Sequence, residues 1–143
     1  EHGILLATTG LEQDSAHEVF TPTTLIAAQE LLRRIPVGES VVEFILDLVR
    51  ALRPDDSEAS DAIRDNVVWG PGPRAAQALV MTSRARALLA GRLAPSIEDA
   101  VAMAHPVLAH RMSLGFAARA RGENLTELID QTCQKIIGNE AAA

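Results

Sequence analysis

Apolar residues recur at helical spacing in several stretches of this chain, and no stretch shows a sustained alternation of apolar and polar residues. A period of three to four residues places apolar side chains on one face of an α-helix, whereas alternation is typical of a half-buried strand. The pattern therefore predicts an all-α fold, namely a small helical bundle of about five helices.

The first two predicted helices cover about 22–35 and about 39–52. Thr21 is suited to cap the first of them, and the fixed φ of Pro22 suits a first helical position. Pro54 ends the second helix, whose apolar residues form one broad face.

An acidic connector follows the second helix and contains Asp55, Asp56 and Asp65. Its length of about seventeen residues is unusual for a compact domain and is often functional. The alternative is a mobile, solvated insertion.

Three further helices are predicted in the second half of the chain. The third runs from Pro73 to about Ala90, with Gly91 as its C-terminal stop. The fourth begins at a capping box formed by Ser96 and Asp99, and Pro106 divides it from a following turn. Residues 112–123 are expected to be irregular. Asn124 then caps a last helix that Gly138 closes.

The domain organisation follows from these elements. Residues 1–20 are expected to be a connector, whose apolar Ile4–Ala7 could end a preceding helix, and 21–138 form the helical domain. Residues 139–143 are expected to be a disordered tail.

Composition narrows the range of partners. The chain is 48% hydrophobic but only 3% aromatic, so its core must be built from Ala, Leu, Val and Ile. A formal charge of −6 disfavours a nucleic-acid or anionic-membrane surface, because affinity for phosphate backbones comes mostly from Lys and Arg. No run approaches a membrane span, and Cys133 has no second cysteine to pair with. These features predict a soluble cytoplasmic protein.

The common catalytic and metal sites are absent from the sequence. The only lysine, Lys135, is followed by Ile136, so there is no phosphate-binding loop ending in Gly-Lys-Ser/Thr. His105 and His110 are five residues apart, which puts them on different helical faces and predicts no metal site. Neither Ser83 nor Ser113 has the context of a nucleophile. We therefore predict no catalytic residue in this chain alone.

The segment Gly70–Arg74 reads Gly-Pro-Gly-Pro-Arg and carries the densest turn signal in the chain. Its prolines and glycines predict a rigid turn that directs Arg74 outward from the start of a helix. Arginine suits phosphate because its planar fork donates paired hydrogen bonds and keeps its charge. In the alternative interpretation, Arg74 pairs with a nearby carboxylate such as Asp65.

The stretch from about Thr21 to Met112 resembles the C-terminal helical lid of MoxR-type AAA+ ATPases. Four segments in this order carry the resemblance: Ser40–Val49, Gly70–Ala75, Pro95–Val101 and Pro106–Arg111.

The resemblance implies a role for Arg74 as the sensor-2 arginine, which reaches the phosphates of ATP bound on a core domain. Gly72 and Pro73 shape its turn; a serine is more usual at Gly72, and glycine is a tolerated N-cap residue there. ATP and Mg would be bound through the core domain, which would precede Glu1 and carry the hydrolytic machinery. The chain alone should therefore not hydrolyse ATP.

The resemblance also implies partners for the full protein. These are the core domain of the same protein, further copies in a homo-oligomeric ring, and a von Willebrand factor A domain protein. The work implied is that of a chaperone-like ATPase in the maturation of protein complexes or metal cofactors. Two alternatives stay open: a free-standing helical module that binds a protein without nucleotide, and a nucleic-acid-binding helical domain, which the charge disfavours.

Overall fold

The computed structural model describes residues 1–9 and 17–140, with the side chains of 5–8 and 140 left aside. The chain divides into two compact units, residues 1–30 and residues 31–143. The described elements are α1 His2–Thr9, α2 Pro22–Arg34, α3 Glu39–Ala51, α4 Asp61–Asn66, β1 Val67–Trp69, α5 Pro73–Leu89, α6 Ile97–Leu108, a 3₁₀ turn Ala109–Arg111, β2 Ser113–Leu114, α7 Phe116–Ala120 and α8 Leu125–Glu140. The predicted all-α fold is confirmed, because the two strands form only a tiny sheet.

The first unit contains α1 and most of α2. The backbone N–H of Thr24 donates to Oγ1 of Thr21 at 3.1 Å, so the predicted cap is formed. Pro22 is the first residue of α2, as its fixed φ favours. Within the predicted connector, Ile4–Ala7 lie in α1, whereas 10–16 fall outside the described residues.

The second unit is built around the buried face of α3. Helix α5 packs against α3 and α6, and α8 also packs against α3 and α6. The fully buried side chains of this core include Phe44, Ile45, Leu48, Leu52, Leu79, Leu108 and Ile129. Aliphatic residues dominate it, as the low aromatic content predicts.

The connection from α5 to α6 is fixed at both of its ends. Gly91 adopts φ +74°, and its N–H donates to Leu88 O while Arg92 N–H donates to Ala87 O, both at 2.9 Å. Only glycine adopts this left-handed conformation without strain, so the predicted helix stop is confirmed. At the other end, the N–H of Ser96 donates to Oδ2 of Asp99 at 2.9 Å within the predicted capping box.

Asp99 is the electrostatic centre of this connection. Its side chain is only 2% exposed, yet it accepts two hydrogen bonds from the Arg92 guanidinium at 2.6 and 2.7 Å. Arg86 Nε lies 3.2 Å from the same carboxylate. The hydrogen bonds from Arg92 lower the pKa of Asp99 from 3.8 to about 2, against the opposing effect of burial. The ion pairs therefore tie the end of α5 to the start of α6.

Two segments predicted to lack regular structure contain short elements. The acidic connector includes α4 and β1, and the predicted irregular segment 112–123 includes β2 and α7. The strands are antiparallel with an irregular register, Val67 opposite Leu114 and Trp69 opposite Ser113. These predictions were wrong because elements of two to six residues leave almost no periodic pattern.

The buried Asn66 joins these short elements. Its carbonyl accepts from the N–H of Gly115 at 2.8 Å, and its Oδ1 accepts from the Arg121 guanidinium at 2.6 Å. The side-chain amide nitrogen Nδ2 of Asn66 donates to Ala62 O at 2.8 Å. One residue therefore links α4 to the residues that follow β2 and α7.

Two predicted helix ends were also wrong. Helix α6 continues through Pro106 to Leu108, and Ala109 N–H still donates to His105 O. Proline has no N–H, so the carbonyl of Ala102 has no helical partner at Pro106. Both residues are exposed, and water can satisfy this carbonyl. Gly138 likewise lies inside α8, which includes residues 139 and 140 of the predicted tail; 141–143 are outside the described residues. Within 1–9 and 17–140, no helix has the length and apolar character needed to cross a membrane.

Candidate functional site

The Gly-Pro-Gly-Pro-Arg turn lies directly against the end of α3. A Cβ built on Gly70 would approach Leu52 O to 2.6 Å and Arg53 Cα to 2.8 Å. The backbone can take this path only without a side chain at Gly70. Arg53 Nε donates to Pro71 O at 2.8 Å, and Pro71 is fully buried. The turn is therefore held by the core rather than left as a mobile loop.

The start of α5 follows immediately from this turn. Gly72 is the N-cap residue, with the extended conformation φ −88° and ψ −178°, and its carbonyl accepts from Ala75 N–H at 2.9 Å. Pro73 is the first helical residue, where its missing N–H costs nothing. Arg74 follows in the first turn of a helix of 17 residues. The three predicted site residues thus form one continuous structural feature.

Arg74 itself is exposed and has no hydrogen bond or ion pair among the residues that the structure describes. The carboxylates of the acidic connector do not reach it: Asp61 lies 3.5 Å from Arg64, and Asp65 makes no ion pair within the described ranges. The alternative in which Arg74 pairs with Asp65 is therefore not observed.

The local electrostatics favour an anion. The first turn of α5 contains no acidic residue, and the N-terminus of a helix carries a partial positive charge from its free N–H groups. The guanidinium adds a full charge at the same end. Phosphate oxygens are the kind of group that this arrangement can bind.

A shallow groove of about 350 Å³ runs beside the turn, lined by Arg53, Asp55, Asp56, Trp69 and residues 70–73. Arg74 does not line it. The aspartates give the groove an acidic side, and Trp69 is 71% exposed at its edge.

The start of α5 combines one exposed positive side chain with the free N–H groups of a helix N-terminus, which suits a negatively charged group. In the described part of the chain, no three His, Cys, Asp or Glu residues are close enough to share an ion.

The predicted site residues Gly72, Pro73 and Arg74 are consecutive at the start of α5, whereas the contributions of Gly70 and Arg53 to the turn were not predicted. The position of Gly70 beside Pro71 indicates a constrained turn. The sequence does not show that Gly70 lies against the backbone at the end of α3. Arg53 has no comparable signal, because its bond to Pro71 O spans eighteen positions.

Comparisons with known proteins identify the family of the chain. The model of a family described as AAA lid domain matches residues 60–132, about half of the chain, from the start of α4 into α8. A protein from Paracoccus denitrificans named MoxR is 41% identical over 93 residues, covering 61% of this chain and 27% of that protein. Chaperone MoxR1 from Mycobacterium tuberculosis is 25% identical over 111 residues, covering 78% of this chain and 29% of that protein.

A solved structure extends the likeness to three dimensions. It is the crystal structure of an ATPase candidate from Cytophaga hutchinsonii, with a TM-score of 0.81 and 21% identity, covering 94% of this chain and 41% of the other. The chain spans less than a third of the length of the two MoxR relatives. It belongs to the AAA lid domain family and is, as the resemblance predicted, a lid of the MoxR type.

Proposed function

We propose that this lid closes over ATP held by a core domain of the same protein and that Arg74 acts there as the sensor-2 arginine. The observation that carries the proposal is a guanidinium that is exposed, rigidly mounted and unpaired within the described residues. The absence of acidic residues from the first turn of α5 adds support, because nothing nearby neutralises the charge.

The fixed position of Arg74 contributes to the proposed phosphate binding as well as its charge. Gly70 packs against the backbone at the end of α3, and Arg53 holds Pro71, so the path into α5 is fixed before any ligand arrives. A preorganised donor stabilises charge on a reacting phosphate without reorganising during the reaction. Arg74 would therefore bind and orient phosphate oxygens, while ATP and Mg are held through the core domain, which supplies the hydrolytic chemistry.

Closure through one arginine also couples nucleotide state to movement. When the terminal phosphate leaves, Arg74 loses an anionic partner, and the contact that favours the closed lid weakens. The lid can then rotate away from the core. In this way, loss of the negative charge of the terminal phosphate changes the orientation of the lid relative to the core domain.

For the whole protein we propose a homo-oligomeric ring with a chaperone-like role in the maturation of protein complexes or metal cofactors. A von Willebrand factor A domain protein is the proposed partner. The name of the Mycobacterium tuberculosis relative, a chaperone, supports the chaperone-like role.

The test uses the full protein that contains this lid and its core domain. Removal of a preorganised donor typically lowers turnover by about 10²–10³-fold, and we expect Arg74→Ala to fall in that range. Turnover is measured as phosphate release at saturating ATP, and ATP affinity is measured in parallel. Arg119→Ala is the matched control, because Arg119 is also an exposed arginine with no bonded partner in the described part.

Equal turnover of Arg74→Ala and Arg119→Ala would reject the sensor-2 role. Arg74→Lys sharpens the result: it keeps the charge but loses the planar fork, so we expect intermediate turnover. If none of these variants changes ATP binding or turnover, the remaining candidate is a helical module that binds a protein without nucleotide.

A further inference from the structure

A second feature lies along α5, in an apolar groove between this helix and α3. The groove has a volume of about 340 Å³ and is lined by Val42, Ile45, Leu46, Ala76, Gln77, Val80, Met81 and Arg84. Six of these side chains are apolar, and no acidic residue is among them.

The α3 side of the groove exposes large aliphatic groups although the opposite face of the same helix forms the core. Val42 is 37% exposed and Leu46 is 39% exposed. Adjacent aliphatic side chains that line a concave surface are typical of a protein-binding site rather than of a solvated face. The groove thus offers an apolar floor to a partner side chain.

Arg84 is the charged residue in the lining of this groove. Its side chain is half-buried, its Nε is buried without any hydrogen-bond acceptor, and its terminal nitrogen approaches only the sulfur of Met81, at 3.7 Å. No ion pair with Arg84 is present among the described residues, whereas Arg86, two positions away, lies 3.2 Å from Asp99. A partly desolvated guanidinium without an anion is unfavourable, and a carboxylate would relieve that cost.

We propose that this groove docks an amphipathic helix of a partner protein that inserts an aliphatic side chain and places a carboxylate against Arg84. The apolar lining selects the aliphatic group, and the unpaired positive charge selects the acid. Two adjacent helices form a channel into which a third helix packs with residues at positions i, i+3, i+4 and i+7. The occupant is therefore an acidic, leucine-bearing helical segment.

The groove does not depend on the nucleotide role of Arg74. Arg74 and Arg84 are ten positions apart on α5, which corresponds to roughly 15 Å along a helix that rises 1.5 Å per residue. A phosphate bound at Arg74 would therefore lie about three helical turns from the guanidinium of Arg84. The two proposals can therefore fail separately.

The probe is a synthetic helical peptide that carries leucines at helical spacing and one glutamate, compared with the same peptide carrying glutamine. Binding to the 143-residue chain is measured by titration calorimetry and by the methyl NMR signals of Val42, Leu46, Val80 and Met81. We expect these signals to shift together. Because the charged pair is partly desolvated, we expect the glutamine peptide to bind about tenfold more weakly.

Arg84→Met completes the double-mutant cycle. Methionine supplies an apolar side chain of similar length, and among the described residues the variant removes only the contact of the guanidinium with the Met81 sulfur. We expect it to bind both peptides equally, at the affinity of the glutamine peptide. Arg74→Gln is the matched control on the same helix and should leave the binding of both peptides unchanged.

Leu46→Gln tests the apolar half of the proposal, and we expect it to weaken both peptides by a similar factor. Equal binding of the two peptides to the wild-type chain, or signal shifts confined to another surface, would overturn the proposal even if Arg84→Met did not fold. Methyl shifts that depend on protein concentration without peptide, together with a dimer in sedimentation, would assign the groove to a second copy instead.

Discussion

The two ends of α5 use the same residue type in opposite ways. At the C-terminal end, Arg86 and the following Arg92 both bind the buried carboxylate of Asp99. At the N-terminal end, Arg74 extends from the proline-rich turn without a bonded partner in the described part of the molecule. One end joins two helices of the core, and the other presents charge to its surroundings.

The difference shows how an arginine can be assigned to folding or to binding. An arginine whose charge is met by an internal carboxylate contributes to the stability of the fold. An arginine that the fold holds rigidly but leaves unpaired is available to a ligand outside the domain. The close approach of Gly70 to the end of α3 and the bond from Arg53 to Pro71 O hold the backbone at the N-terminal end, so exposure of Arg74 does not reflect a loose segment.

The largest stability effect is expected at Gly70, which fixes the N-terminal end. In Gly70→Ala the new Cβ would meet backbone atoms at 2.6 and 2.8 Å, and neither can move aside like a flexible side chain. Overpacking of this kind typically costs up to about 3 kcal/mol, and we expect a loss near that figure. Urea unfolding followed by circular dichroism measures it, and an unchanged midpoint would show that the turn is free to shift.

At the C-terminal end, Asp99→Asn removes the charge shared by two arginines. The pKa of Asp99 lies at about 2 instead of 3.8, and a tenfold change in proton affinity corresponds to about 1.4 kcal/mol, so the expected loss at neutral pH is about 2 kcal/mol. This is an upper figure, because the arginines are about half exposed and solvent screens them. A loss at neutral pH far below about 1 kcal/mol, measured by urea unfolding, would contradict a stabilising role for these ion pairs.

The same carboxylate predicts a pH dependence with a definite sign. Because folding lowers the pKa of Asp99, its contribution is complete above pH 3.8 and disappears as the pH falls toward about 2. The free energy of unfolding of the wild-type chain should therefore drop across this interval more than that of Asp99→Asn. Parallel curves for the two proteins would exclude Asp99 as the responsible group.

The smallest effect is expected at Gly72, in the same turn as Gly70. A Cβ at Gly72 meets nothing within 4 Å, and its extended backbone suits serine, which can accept a hydrogen bond from the first turn of α5. Glycine is only about a few tenths of a kcal/mol worse than serine as an N-cap, so Gly72→Ser should raise the thermal midpoint slightly. A lowered midpoint would mean that the turn does not tolerate the side chain.

Much of the fold was predictable because long helices show both a regular apolar period and recognisable caps. Thr21, Ser96 and Gly91 were identified from residue type and position, and each has the predicted local role. The short elements α4, α7 and β1 were not predictable, because their stability comes from contacts such as those of Asn66 rather than from a pattern in sequence.

The candidate site was predictable for a different reason. Glycine and proline restrict the backbone locally, so the turn before Arg74 could be inferred from five consecutive residues. The Asp99 ion pairs were not inferred, since they depend on how the α5–α6 connection folds back. The lack of a carboxylate partner for Arg84 among the described residues was likewise not predictable, because it depends on how α3 and α5 pack together.

The contrast between the two ends of α5 is tested most directly by two variants in two assays. Arg74→Ala and Arg92→Ala are compared for ATP turnover in the full protein and for unfolding of the 143-residue chain. We expect Arg74→Ala to lower turnover by about 10²–10³-fold with an unchanged unfolding midpoint. Arg92→Ala should lower the unfolding midpoint, with little change in turnover at temperatures where the lid stays folded. If Arg74→Ala instead destabilised the chain, or left turnover intact, the assignment of this arginine to an external phosphate would be wrong.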